Sequence, residues 1–307
     1  MTMKVAITGA SGLIGRALCE HLREQGHTVF RLVRSNRDLS PDTIYWNPEL
    51  REIEAGPLAG MDAVVHLAGE TVDGRWNISK KRRIRESRVE ATRFLAEALV
   101  NLPKPPKALI CASAIGYYGS QRTEDLTEES PAGEGFLSEV VRGWEAAVEP
   151  LRKSATSSPG GAGVRLVHLR IGVVLDPEGG ALAKLLLPFR LGLGGPLGRG
   201  RQFMSWISRR DVVAAFMEAI GNPDYSGVYN LVSPRPVSNQ EFTRALASAL
   251  RRPAFLPVPE LALKLVFGEM AKETILTSLK VLPQRLLAAG FTFQDPELEP
   301  ALQSLVG

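Results

Sequence analysis

Cysteine and histidine are scarce in this chain of 307 residues. The two cysteines, Cys19 and Cys111, lie in apolar segments without metal-like spacing, so they read as reduced core residues of a cytosolic protein. His21, His27, His66 and His168 are scattered, and no pair has the spacing of a zinc site, so no metal is expected. No stretch has the uninterrupted apolar length of a membrane span. The opening MTMKVAITGASG enters a strand at once, without the pattern of a signal peptide. A cytoplasmic protein with no membrane partner is therefore expected. A strong charge of one sign is lacking too, since the net charge is only +4. That balance fits an anionic small ligand but not nucleic acid, which calls for a concentrated basic face.

What is present is a soluble globular composition, 44% hydrophobic and 23% charged, which excludes disordered and fibrous classes. The length suits one large domain or one and a half. KVAITGA (4–10) is a buried strand, and the helix of LIGRALCEHLREQ places Ile14, Ala17, Leu18 and Leu22 on one face, with Gly26 ending it. Further strands are expected at 27–34, 62–69, 107–114 and 164–175, and helices through SRVEATRFLAEALVNL and over 135–153. Apolar strands alternating with helices imply a parallel sheet covered on both faces, a doubly wound α/β fold. SATSSPGGAG (154–163) reads as a flexible connection, and RLGLGGPLGRGRQF (190–203) as either an exposed loop or a ligand cover. Beyond residue 233 the pattern turns mainly helical.

TGASGLIG sets Gly9, Gly12 and Gly15 between the first strand and the first helix. Glycine allows the tight turn, close approach to a pyrophosphate, and close helix–strand packing, while the helix N-terminus attracts the anion. Gly9, Ser11, Gly12, Leu13, Ile14 and Gly15 are the candidate phosphate contacts. At the end of the second strand an acidic residue would bind the ribose hydroxyl of NAD, whereas arginine would pair with the 2′-phosphate of NADP. This chain reads RLVRSNRD, with Arg34, Ser35 and Arg37 ahead of Asp38, which favours NADP. The alternative is that these arginines are only solvated.

TGASGLIG, DAVVHLAG, SAIGYYG and LRIGVVL together resemble the extended, epimerase-like branch of the short-chain dehydrogenase/reductase superfamily, within the NAD-dependent epimerase/dehydratase superfamily. GETVDGRWNISKKRRIRESRVEATRFL, LLPFRLGLGGPLGRGRQFMSWISRRDVV and VLPQRLLAAGF look like the atypical SDR39U1-like group of epimerase-family proteins. The resemblance implies an NADP-binding Rossmann domain over 1–175 and 211–232, with a smaller, mainly helical substrate or lid domain over 176–210 and 233–307. It implies that Leu67, Ala68, Gly69 and Glu70 line the cofactor cleft. Ala112 and Ser113 would approach the nicotinamide ribose, Ile171, Gly172 and Val173 would flank the nicotinamide, and Arg88 is a further candidate cofactor contact. The implied substrate is a small molecule, anionic or neutral, and the implied assembly a monomer or homodimer.

One thing the resemblance leads one to expect is missing. The superfamily's tyrosine, four residues before a lysine, moves the proton that must accompany hydride transfer. In GFLSEVVRGWEAA the two positions fall on Leu137 and Val141, taking Glu145 as the alignment mark, and no tyrosine elsewhere has a lysine four residues on. Ser113 stands one place early for the usual hydroxyl, which falls on Ala114, and Arg88 replaces the usual helix asparagine. Ser113 and Tyr117 are the candidate proton donors, with Arg88 or Arg142 as an activating cation and Glu70 as another acid–base group. Tyr117 and Tyr118 could instead only shape the pocket. KKRRIRESR (80–88) reads mainly as a solvated helix face. Arg199, Arg201, Arg209 and Arg210 could hold an anionic substrate or lie exposed, and Trp206 reads as core. Two functions stay open: an NADP-dependent oxidoreductase or epimerase-like enzyme, and a non-catalytic NADP(H)-binding regulatory or sensor protein.

Overall fold

The computed structural model describes residues 2–35, 40–157 and 163–307, without the side chains of 155–157. Arg37, Asp38 and much of the 154–163 connection lie outside the described residues. The strands are β1 (Lys4–Thr8), β2 (Thr28–Val33), β3 (Thr43–Asn47), β4 (Glu52–Ile53), β5 (Ala63–His66), β6 (Ala108–Ala114), β7 (Gln121–Leu126), β8 (Arg165–Ile171), β9 (Val173–Asp176), β10 (Phe203–Met204), β11 (Trp206–Ser208), β12 (Gly227–Leu231), β13 (Val237–Ser238) and β14 (Ser278–Val281). The helices are α1 (Leu13–Glu24), α2 (Ile78–Glu86), α3 (Val89–Val100), α4 (Phe136–Ala146), α5 (Glu149–Ser157), α6 (Gly180–Arg190), α7 (Arg209–Gly221), α8 (Asn239–Leu250), α9 (Glu260–Phe267), α10 (Gln284–Ala288) and α11 (Leu298–Val306).

The main sheet is eight-stranded, in the order β12-β8-β6-β5-β1-β2-β3-β4. All its pairings are parallel except that of the short edge strand β4. Parallel strands need covering on both faces, which is why most of their residues are apolar. Leu18 and Leu22 of α1 and Val212 and Phe216 of α7 close one face. Phe94, Leu95 and Leu99 of α3 with Leu151 of α5 close the other. After β1 the chain builds outward through β2 and β3, then returns to lay β5 on the other side of β1. The crevice beyond the ends of β1 and β5 is the switch point where open α/β sheets bind ligands.

A further core joins Leu182 and Phe189 of α6, Phe242 and Leu246 of α8, Leu302 of α11 and the fully buried Trp206 of β11. Residues 278–293 return to the first core: β14 pairs with β7 in a separate two-stranded sheet, and Leu286, Phe291 and Phe293 pack with the α1–α7 core. Two elements divide where sequence pattern reads them as continuous. The 164–175 strand breaks at Gly172, whose amide still reaches Leu231 of the main sheet while Val173 turns to Ser205. A side chain there would meet the Ser205 carbonyl at 2.5 Å. The 135–153 helix becomes α4 and α5, with Pro150 in the first turn of α5, where its missing N–H costs nothing. Among the described residues no helix is long and apolar enough to cross a membrane, and no cluster could hold a metal.

Candidate functional site

The glycine turn is set by contact. Gly9 has φ +68, and a Cβ on it would lie 2.8 Å from the backbone of Leu67 and Ala68. A Cβ on Gly15 would lie 2.2 Å from the Gly9 carbonyl oxygen. The turn, the first helix and the end of β5 therefore stand as close as bare backbone permits. Gly12 opens α1 without a side-chain cap, and the first turn of that helix carries no acidic residue. Ser11 and Gly12 are exposed. As first-turn amides, those of Leu13, Ile14 and Gly15 have no intrahelical acceptor; Leu13 and Ile14 are half-buried beside the exposed Ser11 and Gly12 while Gly15 is buried against Gly9, an arrangement suited to phosphate.

Beside it, Thr8 fixes the turn after β5. The Thr8 hydroxyl oxygen accepts from the amides of Leu67 and Ala68, both at 3.1 Å, and lies 2.7 Å from Nδ1 of His66. With two donors already on the oxygen, its own proton goes to Nδ1. The His66 Nε2–H then donates to Thr92 Oγ1 at 2.9 Å. Burial pushes His66 down to about 4, so it is neutral. This tie from β1 through β5 to α3 holds Leu67, Ala68 and Gly69 at the lip of the crevice.

The Arg88 guanidinium lies under that lip: a Cβ on Gly69 would be 3.3 Å from Arg88 Cζ. It donates to the carbonyls of Glu70 (2.9 Å) and Ile84 (3.3 Å) and stacks 5.2 Å from the Trp144 ring. Burial lowers its pKa to about 10, against the raising effect of Glu70. It keeps its charge at neutral pH. The Glu70 carboxylate turns the other way, to Lys80 at 2.7 Å, and the hydrogen bond from that ammonium lowers its pKa.

Ser113 is 3% exposed and donates to Glu145 Oε1 at 2.6 Å, so the proton expected for the cleft is held inside the protein. Ser113, Arg170 and Asn230 are register partners on β6, β8 and β12 and share one sheet face. Glu145 of α4 closes over them, taking Nε and Nη2 of Arg170 at 2.8 Å each. Burial would raise the Glu145 pKa, but the bonds and charge of Arg170 and the bond from Ser113 hold it below the usual value. The Tyr118 hydroxyl accepts from Arg170 Nη1 at 3.0 Å and lies 2.7 Å from Asn230 Oδ1 and 2.9 Å from the Thr127 carbonyl. Tyr118 is therefore packing and network. Tyr117 lies flat on the same cation, Arg170 Cζ being 3.4 Å from its ring centre, and its hydroxyl has no partner among the described residues.

Leu137 and Val141 stand where the alignment with Glu145 puts the usual tyrosine and lysine. Both face the 115–118 turn, since a Cβ on Gly116 would meet Leu137 at 3.4 Å and Val141 at 3.9 Å. The N-terminus of α4 is capped from far along the chain: Glu273 accepts from the amides of Phe136 (3.2 Å) and Leu137 (3.0 Å).

The remaining expected residues distribute as follows. Ala112 is buried near the end of β6, while Ile171, Gly172 and Val173 are half-buried around the break after β8. Arg34 follows β2 with its side chain 72% exposed, 3.8 Å from Glu49. Ser35 follows it. Arg209 pairs with Asp176 (2.8 Å) and Glu178 (2.7 Å), and Arg210 with Asp295 (2.7 Å), so each guanidinium already has a carboxylate partner. Arg199 and Arg201 are exposed. In the basic run, Arg82, Arg83 and Arg85 face solvent, but Lys80 is drawn in by Glu70, and Lys81 pairs with Glu269 at 2.9 Å over the Phe136 ring.

With a phosphate-type turn at the switch point of a parallel sheet in place, comparison with known proteins is direct. Residues 5–232 match the NAD dependent epimerase/dehydratase family. The chain belongs to that family. Residues 258–305 match a domain of unknown function, DUF1731. The epimerase family protein Mb2239 of Mycobacterium bovis is 42% identical over 299 residues, 97% of this chain and 96% of that one. Human epimerase family protein SDR39U1 is 39% identical over 99% of this chain and its own full length. The crystal structure of the human protein (isoform 2) with NADPH superposes with TM-score 0.88 at 38% identity, covering 99% of both chains. A nucleoside-diphosphate sugar epimerase from Corynebacterium glutamicum superposes with TM-score 0.81 at 35% identity, covering 100% of this chain and 59% of that one.

Sequence reading missed the Glu145–Arg170 pair and the Thr8–His66–Thr92 tie. One signal was available. An arginine in the middle of VRLVHLRIGVVL, a run that must be buried, requires a buried carboxylate partner. The Glu273 cap had no such signal, because Gly135 and Glu273 are joined only by the fold.

Proposed function

We propose that the protein binds NADP(H) across the crevice beyond β1 and β5 and acts as an oxidoreductase or epimerase-like enzyme on a small carbonyl- or hydroxyl-bearing substrate. The observation that carries this reading is the uncapped start of α1 against the Gly9–Gly15 turn. Leu13, Ile14 and Gly15 would offer amides to the pyrophosphate, with Ser11 and Gly12 at its side. Arg34 and Ser35, at the end of β2, would take the 2′-phosphate, as arginine does in NADP sites. The human relative's structure with NADPH supports the choice. Leu67, Ala68, Gly69 and Glu70 would border the ribose, and Ile171, Gly172 and Val173 the nicotinamide. The bound coenzyme would supply or accept hydride. The matching proton falls to Tyr117, the hydroxyl left without a partner beside the crevice, with Arg170 stacked on its ring. Of the span 176–210 with 233–307, the part built on α6, α8 and α11 would close over the substrate, since 278–293 packs with the α1–α7 core, and the protein would work in the cytoplasm as a monomer or homodimer.

A second reading, an NADP(H)-binding regulatory protein without catalysis, is favoured by one feature: apolar Leu137 and Val141 occupy the places of the usual proton machinery. Titration of the purified chain with NADPH and NADH tests the shared part, and micromolar or tighter NADPH binding is expected. NADPH oxidation over a panel of carbonyl compounds separates the two. Turnover lost in Tyr117→Phe supports the enzyme. Tight binding with no turnover across the panel supports the regulator.

A further inference from the structure

The guanidinium offered to the 2′-phosphate already has a carboxylate beside it. The register Val33↔Tyr45 brings the ends of β2 and β3 to one edge of the sheet, so Arg34 and the residues after Asn47 lie at the same rim. From there the chain turns back through 48–51 into β4, where Glu52 pairs with Asn47. That turn is tied at several points. Asn47 Oδ1 accepts from the amides of Glu49 (3.1 Å) and Leu50 (3.3 Å), and the Arg51 amide donates to the Pro48 carbonyl at 3.3 Å. Arg51 takes a left-handed backbone, φ 54, which costs energy in a residue with a side chain. That side chain is anchored on α3, with Nη2 donating to Glu97 at 2.8 Å and Cζ 5.1 Å from the Phe94 ring. The backbone of the turn is thus set, and the Glu49 carboxylate it carries stands 3.8 Å from Arg34 Nη1. The neighbouring acids are engaged, Glu52 by the Tyr45 hydroxyl at 2.6 Å and Glu97 by Arg51. The Glu49 and Arg34 side chains are 82% and 72% exposed, so packing does not hold the pair together and another anion can reach the cation.

We infer that Glu49 is a specificity-determining residue: its carboxylate competes with the 2′-phosphate of NADPH for Arg34 and so lowers the preference for NADPH over NADH. A phosphate monoester carries about two negative charges and takes both arms of a guanidinium, so it displaces a single carboxylate. Binding must nevertheless break the Arg34–Glu49 pair. NADH presents a hydroxyl at that point and leaves the pair as it is. The inference rests on the NADP(H)-site reading, and the experiment separates the two. The full chain, Glu49→Gln, Arg34→Ala and the double variant are each titrated with NADPH and NADH at low ionic strength. Glu49→Gln should bind NADPH about threefold more tightly, the scale of an exposed ion pair, with NADH affinity unchanged. The gain should be lost when Arg34 is already alanine. Glu49 is exposed at the tip of its turn, so the substitution leaves folding intact. NADPH affinity that is unchanged in Glu49→Gln overturns the inference and leaves the coenzyme reading standing. Weaker NADPH binding overturns it as well, because Glu49 would then be holding Arg34 in place for the phosphate. Equal tightening of both coenzymes, or full tightening without Arg34, also overturns it, since Glu49 would then act on the coenzyme directly and not through the guanidinium. Absence of NADPH binding to the unmutated chain overturns the coenzyme reading, and this inference with it.

Discussion

Glu145 and Arg170 form a two-bond pair inside the protein, each bond 2.8 Å long, with side chains 11% and 4% exposed. The pair ties α4 to the end of β8 and orients Ser113, Tyr118 and the Tyr117 ring around it. Removing one member strands the other's charge. Arg170→Met should therefore cost about 3–5 kcal/mol of unfolding free energy, whereas Arg170→Met with Glu145→Gln should cost clearly less than the two single changes added together. Urea titrations of the four proteins give the coupling directly, and simple additivity would contradict the pairing.

The glycine turn makes a sharper prediction. Gly15→Ala puts a methyl 2.2 Å from the Gly9 carbonyl, so α1 must move away from the turn. NADPH affinity should fall about a hundredfold, the loss of two or more charge-assisted hydrogen bonds. Gly56→Ala, where nothing lies within 4 Å, serves as the control and should bind as the natural chain does. Equal affinity in Gly15→Ala would remove the case for phosphate at this helix.

Arg34 governs the choice between coenzymes. It is largely exposed and only loosely paired with Glu49, so Arg34→Ala should leave stability within about 0.5 kcal/mol. NADPH binding should weaken roughly tenfold or more while NADH binding stays level. Parallel fluorescence titrations with the two coenzymes check it, and an unchanged ratio would assign the 2′-phosphate elsewhere.

Two buried histidines predict an acid weakness. Burial pushes both His66 and His168 from 6.5 down to about 4. The unfolded chain therefore takes up protons first as pH falls, and stability present above about 6.5 is lost progressively toward about 4. Each imidazole contributes roughly 3 kcal/mol over that window. The His168 nitrogens have no hydrogen-bond partner among the described residues, so His168→Leu should cost little at pH 7 and roughly halve the slope between pH 6.5 and 4. Urea midpoints at several pH values report it.

Much of this was legible in the chain itself. The alternation of apolar runs with amphipathic helices sets a parallel sheet, and TGASGLIG sets its phosphate turn, because local periodicity and glycine spacing act over a few residues. That Leu137 and Val141 stand in place of the usual pair was legible only through the family resemblance, aligned on Glu145. What the tertiary structure alone decided is where the polar groups point. Ser113 is one residue among small ones until Glu145, 32 positions on, takes its proton. Arg209 and Arg210, which the sequence leaves either substrate-holding or exposed, are paired with Asp176, Glu178 and Asp295 in the fold. Glu273 caps a helix that begins 137 residues earlier. A hydrogen bond or an ion pair depends on an approach of about 3 Å, and such distances between remote residues are fixed only when the cores on both faces of the sheet have closed.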